Sequence, residues 1–253
     1  MRKYELIRET FCRRGFIWIV HVVWLVLYGG FWWLFLPNGP EFGRFVFIWS
    51  GFFLPLALTA GIFGDDIASG RICVLITKPL WAGELYICRL LGVTLQATAH
   101  FILTGCIVLI LHLIMRKGSM EYLGTWLFAS WLLFITVAAL STSLSVVVGR
   151  TFNSLLILVV VVTVYFILGL LMSSMRQKAD TGVLTAFIRY AWPPFELLSK
   201  FAGGEYGKYS LTVGRFSVSK SVACVVHSVF LTVVYSVIGI ILLMKRQFSR
   251  QRD

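Results

Sequence analysis

Long apolar segments separated by short polar ones dominate this sequence, and they restrict its folding more than any other feature. A bilayer core about 30 Å thick is crossed by roughly 20 mostly apolar residues in a helix. Six segments meet that length: 16–36, 45–63, 90–115, 126–148, 155–172 and 222–244. Hydrophobic residues form 58% of the chain and charged residues only 13%, which excludes a water-soluble globule. The sequence predicts an all-α polytopic membrane protein with one transmembrane domain, residues 1–253.

Positive charges are concentrated at both ends of the chain, and they set the expected orientation. Lys and Arg in short loops and near span ends stay on the cytoplasmic side. These cations are Arg2, Lys3, Arg8, Arg13 and Arg14 at the amino end, and Lys245, Arg246, Arg250 and Arg252 at the carboxyl end. We expect a multi-pass protein of the cell (inner) membrane with both termini cytoplasmic. Segment 64–89 would then face the cytoplasm, and segment 173–220 would be extracytoplasmic.

The net charge of +12 fits this topology together with attraction to anionic headgroups of the membrane lipid. Nucleic acid is not an expected partner, because no basic stripe alternates with exposed aromatic residues on a soluble domain. The charge therefore indicates membrane orientation rather than a polyanionic ligand.

The first 15 residues have the pattern of an amphipathic helix lying at the membrane interface. Tyr4, Ile7 and Phe11 recur at helical spacing, and charged residues occupy the other faces. Glu9 and Arg13 have the spacing of an ion pair within one helix. A simple positive anchor and a specific docking role both remain open for this helix.

Segment 64–89 contains a short helix, a proline corner and a second helix. Asp65, Asp66 and Ser69 suit a helix start, and Ile72, Leu75 and Ile76 form an apolar face behind them. Pro79 ends this helix because it lacks an N–H group and moves Lys78 out of the helical region. We expect the element to lie at the membrane surface with its polar face toward the cytoplasm.

This segment carries the pattern Asp66-x-x-x-Gly70-Arg71-Ile72-x-x-Leu75-x-x-Lys78-Pro79-x-x-x-x-Glu84-x-x-x-x-Arg89-x-x-Gly92. It resembles the intracellular loop of type 2 ATP-binding-cassette permeases, in particular the permeases of multicopper-enzyme maturation operons. Two further matches follow in the same order, Leu140-Ser141-x-x-Leu144 and Trp192-Pro193-Pro194-Phe195-Glu196-Leu197. The resemblance covers nearly the whole chain and includes the number of spans.

The resemblance implies that the loop is a coupling helix that docks on a separate nucleotide-binding ATPase subunit. ATP and Mg would bind to that partner, and this chain would be a non-catalytic exporter subunit that pairs with a second permease subunit, identical or different. The turn at 149–153 would be a smaller contact. The implied coupling residues are Asp65, Asp66, Gly70, Arg71, Leu75, Lys78, Pro79, Glu84 and Arg150. This chain departs from the family by having Trp81 and Ala82 where a basic residue is usual.

Polar residues inside the predicted spans recur at four-residue spacing. Gln96, His100 and Thr104 share a face with Gly92 in the third span. Such residues avoid lipid, so they either line a pathway or pack against neighbouring helices, and for this face both interpretations stay open. In the fourth and sixth spans packing is favoured for Ser141, Ser145 and Gly149, and for Cys224, Ser228, Thr232 and Ser236.

Motifs for catalysis, metals or cofactors are missing from this sequence. The five cysteines form no C-x-x-C pair, and the histidines are scattered. No G-x-x-x-x-G-K-[ST], H-E-x-x-H or G-x-S-x-G occurs. We therefore expect neither catalytic nor metal-ligating residues in this chain, and an intramembrane enzyme is the less favoured alternative.

The sequence leaves open both the role of the chain and the role of its outer segment. The chain could instead be a non-transporting anchor that recruits a cytosolic ATPase and an extracytoplasmic protein. Segment 173–220 could be a lid over an exit, a docking site for such a protein or a re-entrant cap. Lipids, peptides, polysaccharides, ions, and sulfur or copper species are all compatible with the sequence as substrates.

Overall fold

The computed structural model describes residues 3–12, 22–23, 26, 39–59, 61–76, 81–115, 122–148, 193–204, 210–213 and 216–246. The fifth predicted span, 155–172, lies outside the described residues, as does most of the first, 16–36. Lys78, Pro79 and Arg150 also lie outside them.

The described part is mostly helical. Its helices are α1 (Lys3–Cys12), α2 (Gly39–Thr59), α3 (Gly64–Ala68), α4 (Arg71–Ile76), α5 (Ala82–Met115), α6 (Leu123–Ser145), α7 (Phe195–Ala202) and α8 (Lys220–Lys245). Four stretches are long and apolar enough to cross a membrane: Phe47–Ala68, Ala82–Ile114, Leu123–Ser145 and Lys220–Lys245. They overlap the predicted segments 45–63, 90–115, 126–148 and 222–244, with different bounds.

A short antiparallel hairpin precedes α8, and the all-α prediction did not include it. Strands β1 (Ser210–Val213) and β2 (Phe216–Ser219) pair with Val213 opposite Phe216. The sequence signal is the alternation of apolar and hydroxyl residues on both sides of a two-residue Gly-Arg connection. Half-buried strands alternate apolar and polar residues with a period of two. The spans were identified from length and hydropathy alone, and these criteria do not detect such an alternation.

Helix α6 lies at the centre of the described bundle and packs against α2, α5, α7 and α8. Small residues allow the close approach of α2, since a Cβ atom added at Gly51 would lie 2.4 Å from the Ser130 carbonyl oxygen. Ala129, Ala138 and Ala139 of α6 are also fully buried. Close packing through small residues is typical of membrane helices.

Hydroxyl groups join α6 to α8. Thr136 Oγ1 lies 3.2 Å from Thr232 Oγ1, and Ser143 Oγ donates to the Tyr235 carbonyl at 2.6 Å. A Cβ atom at Gly239 would lie 2.5 Å from Ser143 Oγ. In this interface Thr232, one of the polar residues of the sixth predicted span, contacts the neighbouring helix, in keeping with the favoured packing interpretation.

The outward faces of α5 and α8 are apolar and exposed. Along α8 these side chains include Val226 at 60%, Phe230 at 61% and Val233 at 55% exposure. Such surfaces suit hydrocarbon rather than water. Together with the four long apolar helices, they indicate a membrane protein.

Helix α7 closes one end of the bundle. Its Phe195 ring lies 4.9 Å from that of Trp49 in α2, and Leu198 and Ala202 are fully buried. Thr125 Oγ1, at the start of α6, lies 3.3 Å from the Ala202 carbonyl oxygen. The described helix of segment 173–220 is thus packed on the bundle rather than separate from it.

The opposite end of the bundle holds α1, α3 and α4 and the carboxyl ends of α6 and α8. Phe63, just before α3, donates its backbone N–H to Ser145 Oγ at 3.4 Å. Arg246, just after α8, donates to the Val146 carbonyl after α6. Both described terminal helices therefore reach the same end of the molecule.

Candidate functional site

Glycines at two turns set the path of the chain from α2 to α4. Gly61 has a φ of 70° and Gly70 a φ of 68°, the left-handed region that glycine enters without steric cost. Ser69 ends α3, and its hydroxyl donates to the Asp65 carbonyl at 2.7 Å. As a result, α3 and α4 are two short helices with a sharp turn between them rather than one helix.

Four charged side chains come together beneath this turn. We call Glu9, Asp66, Arg71 and Arg89 the charge cluster, and they come from α1, α3, α4 and α5, respectively. Arg89 is fully buried, and its Nη2 donates to Asp66 Oδ2 at 2.9 Å. Because isolated charges are costly to bury, this pairing ties α3 firmly to α5.

Asp66, one of the implied coupling residues, is buried in this structure. Its side chain is 0% exposed and points to Arg89, whereas its neighbour Asp65 is partly exposed. The buried guanidinium of Arg89 requires a nearby counterion, and Asp66 lies on the inner face of α3 that can supply it. Asp66 therefore pairs with Arg89 inside the protein, and its side chain is not at the surface of the loop.

Arg89 is the residue of this site that sequence reasoning missed, although the motif included it. Its Nη1 donates to Thr10 Oγ1 at 2.9 Å and lies 3.4 Å from Glu9 Oε1. The available signal was a cation close to the predicted start of a long apolar span, where a charge needs a partner.

Helix α1 packs on the bundle through a face that the sequence did not single out. Leu6 and Thr10 are its buried residues, whereas Tyr4 is 70% exposed. Glu9 pairs with Arg71 Nη2 at 2.8 Å and with Arg89. The predicted pair of Glu9 with Arg13 involves a residue outside the described ones. The packing of α1 against α5 selects this face. Of the predicted apolar residues, Ile7 is partly buried against the core and Tyr4 is exposed.

Gly92 allows α1 to lie directly on α5. A Cβ atom there would be 2.6 Å from Thr10 Cβ and 2.9 Å from the Ile7 carbonyl oxygen. At the edge of this contact Lys3 Nζ donates to Glu84 Oε1 at 2.6 Å. That hydrogen bond raises the pKa of Lys3 above its ordinary value, because it favours the charged amine. Glu84 thus contacts α1.

An apolar layer lies beside the charge cluster. It includes Leu6, Ile72, Leu75 and Leu85, all at most 3% exposed. Leu75, one of the implied coupling residues, therefore faces the protein interior. Among the described loop residues, Ala68, Ser69, Gly70, Trp81 and Ile87 are exposed, and several others, including Asp65, Arg71 and Glu84, are partly exposed.

The polar residues in the middle of α5 are buried. Gln96 is 2% exposed, His100 1% and Thr104 1%, on the face that also carries Gly92. Thr104 Oγ1 donates to the His100 carbonyl at 2.8 Å. Gln96 Nε2 has no hydrogen-bond partner among the described residues. These side chains avoid lipid, as expected for intramembrane polar groups.

Among the described residues, no three His, Cys, Asp or Glu side chains are close enough together to hold a metal ion. No protein-family model matches this chain. No curated protein matches it either.

Proposed function

We propose that this chain is the transmembrane permease subunit of an ATP-driven exporter. A separate nucleotide-binding subunit would dock on the exposed turn between α3 and α4, and the spans would move in response. The observation that carries the proposal is the charge cluster, which links this turn to both α1 and the long helix α5. The order of loop motifs in the sequence supports the same assignment.

The linkage suits the transmission of force. A displacement at Ser69 or Gly70 is resisted by the buried pair of Asp66 and Arg89, which connects α3 to α5 directly. The apolar layer around Leu75 adds tight packing, and closely packed interiors transmit strain rather than absorb it. A motion of the turn would therefore reach the transmembrane part of α5.

ATP and Mg would be bound by the partner, and a second permease subunit would complete the transporter. The exposed apolar faces of α5 and α8 leave room for contact with lipid and with that subunit. Gln96, His100 and Thr104 are the described polar residues available to a pathway along α5. The turn with Arg150 would be a second contact with the ATPase.

The experiment is purification of the tagged chain from native membranes in mild detergent, followed by an assay of ATP hydrolysis. A stoichiometric nucleotide-binding protein with vanadate-sensitive turnover is expected. Its absence in several detergents would contradict the proposal. Turnover that no added substrate changes would instead favour a non-transporting anchor.

The docking surface is tested with a matched pair of variants. Ala68→Arg adds a bulky cation to the exposed end of α3 and should release the ATPase. Tyr4→Arg adds the same group to an exposed position of α1 at the same end of the bundle, and the ATPase should remain bound. Retention of the ATPase by both variants would place docking elsewhere.

A further inference from the structure

Glu9 of α1 is shared unequally between two arginines. Its Oε1 lies 2.8 Å from Arg71 Nη2 and 3.4 Å from Arg89 Nη1, so the first contact is strong and the second weak. Its other oxygen, Oε2, is buried and has no hydrogen-bond partner among the described residues. The carboxylate therefore has unused capacity to accept hydrogen bonds in its present position.

The two arginines differ in how firmly they are held. Arg89 belongs to the 34-residue helix α5 and is 0% exposed. Arg71 starts the six-residue helix α4, directly after the left-handed Gly70, and its side chain is 41% exposed. Arg71 can be rehydrated if it moves away, whereas Arg89 cannot. Arg89 also has a spare donor, because its Nε has no partner among the described residues.

We propose that Glu9 is an exchangeable latch between α4 and α5. In the observed arrangement it holds α4 to α1 through Arg71. When α4 moves outward, Glu9 shifts entirely to Arg89, and the weak contact of 3.4 Å shortens to a charge-assisted hydrogen bond. Helix α1 then stays on α5 while α4 moves, so the turn can change position without releasing the amino-terminal helix.

The exchange keeps the buried charge compensated in both states. Asp66 contacts Arg89 throughout, and Glu9 adds a second carboxylate when Arg71 leaves. The charge that becomes exposed is that of Arg71, which is already partly hydrated. The inference rests on the proposed function only for the force that moves α4, since the exchange is a property of the isolated chain.

Amide hydrogen exchange on the purified full-length chain, without nucleotide or ATPase, tests the latch. Arg71→Ala should speed exchange in α4 by roughly tenfold and leave α1 as protected as before, because Glu9 moves to Arg89. Glu9→Gln should speed exchange in both helices. If Arg71→Ala sped amide exchange equally in α1 and α4, the latch would be wrong, and the two helices would instead be held as one rigid unit.

The double variant separates the latch from a simple ion pair. With a latch, adding Glu9→Gln to Arg71→Ala still loosens α1, because the contact with Arg89 is lost. If Glu9 served Arg71 alone, the second substitution would change nothing, and the proposal would fail. Lys3→Ala is the control, since it removes an exposed pair between α1 and α5 without touching the cluster. These outcomes do not depend on ATP turnover, so they are independent of the test of the proposed function.

Discussion

Asp66 and Arg89 form a fully buried ion pair between two helices, with Asp66 Oδ2 2.9 Å from Arg89 Nη2 and 23 positions separating them. The pair fixes the short helix α3 against the first turns of α5. It also explains why Asp66 is buried while the neighbouring turn around Ser69 and Gly70 is exposed.

Removal of one partner of this pair should be strongly destabilising. Asp66→Asn keeps the size of the side chain but removes its charge, so the weak contact to Glu9 is the only described counterion left for the buried guanidinium of Arg89. We expect a loss of about 3–5 kcal/mol in the free energy of unfolding. Thermal unfolding of the detergent-purified chain measures this loss.

The control for this prediction is Lys3→Ala, which breaks an exposed pair at the same end of the bundle and should leave the unfolding temperature nearly unchanged. A combined Asp66→Leu and Arg89→Met variant should be more stable than Asp66→Asn, because no unpaired charge remains. Equal stability of Asp66→Asn and the wild type would contradict the assignment.

Substitution of Gly92 should displace α1. In Gly92→Ala the new methyl group would meet Thr10 Cβ at 2.6 Å and the backbone oxygen of Ile7 at 2.9 Å. We expect a cost of about 1–3 kcal/mol and faster proteolysis within Lys3–Cys12. Gly124→Ala is the matched control, because nothing lies within 4 Å of its added atom. Similar proteolysis of both variants would show that α1 does not depend on this contact.

Alanine substitutions at two other glycines should lower stability by different amounts, because the added methyl group would contact different kinds of atoms. At Gly51 it would lie 2.4 Å from a backbone oxygen of Ser130, whereas at Gly105 it would meet the end of the Leu127 side chain at 2.8 Å. A side chain can rotate away, but the backbone of a packed helix cannot. Gly51→Ala should therefore lower the unfolding temperature more than Gly105→Ala. The reverse order would argue against the close packing of α2 on α6.

Substitution of Gln96 should affect stability and transport function in opposite directions. Its buried Nε2 has no hydrogen-bond partner among the described residues, so Gln96→Leu should not lower stability and should raise it by up to about 1 kcal/mol. If the residue faces a pathway, substrate-dependent ATP turnover of the complex should fall in the same variant. Unfolding and turnover are measured on one preparation. Marked destabilisation would instead identify a structural hydrogen bond.

The sequence alone located the long apolar helices of the described part, although not their bounds. Predicted segments 90–115, 126–148 and 222–244 correspond to Ala82–Ile114, Leu123–Ser145 and Lys220–Lys245, because the length and hydropathy of a run are local properties. The hairpin of β1 and β2 could also have been predicted, since its alternation of apolar and hydroxyl residues lies within ten residues. In the charge cluster, the sequence supplied Asp66 and Arg71 as candidates without their partners.

Only the tertiary structure decided how the charges pair and which faces are buried. Glu9 and Arg89 are 80 positions apart, and no spacing rule connects them. Contact with Gly92 determines which face of α1 is buried. Asp66 is buried because its carboxylate neutralises the buried guanidinium of Arg89. Apolar runs are set by neighbours along the chain. The partners of a buried charge depend on which distant segments pack together. Here the charge cluster connects α3 and α4 to α1 and α5.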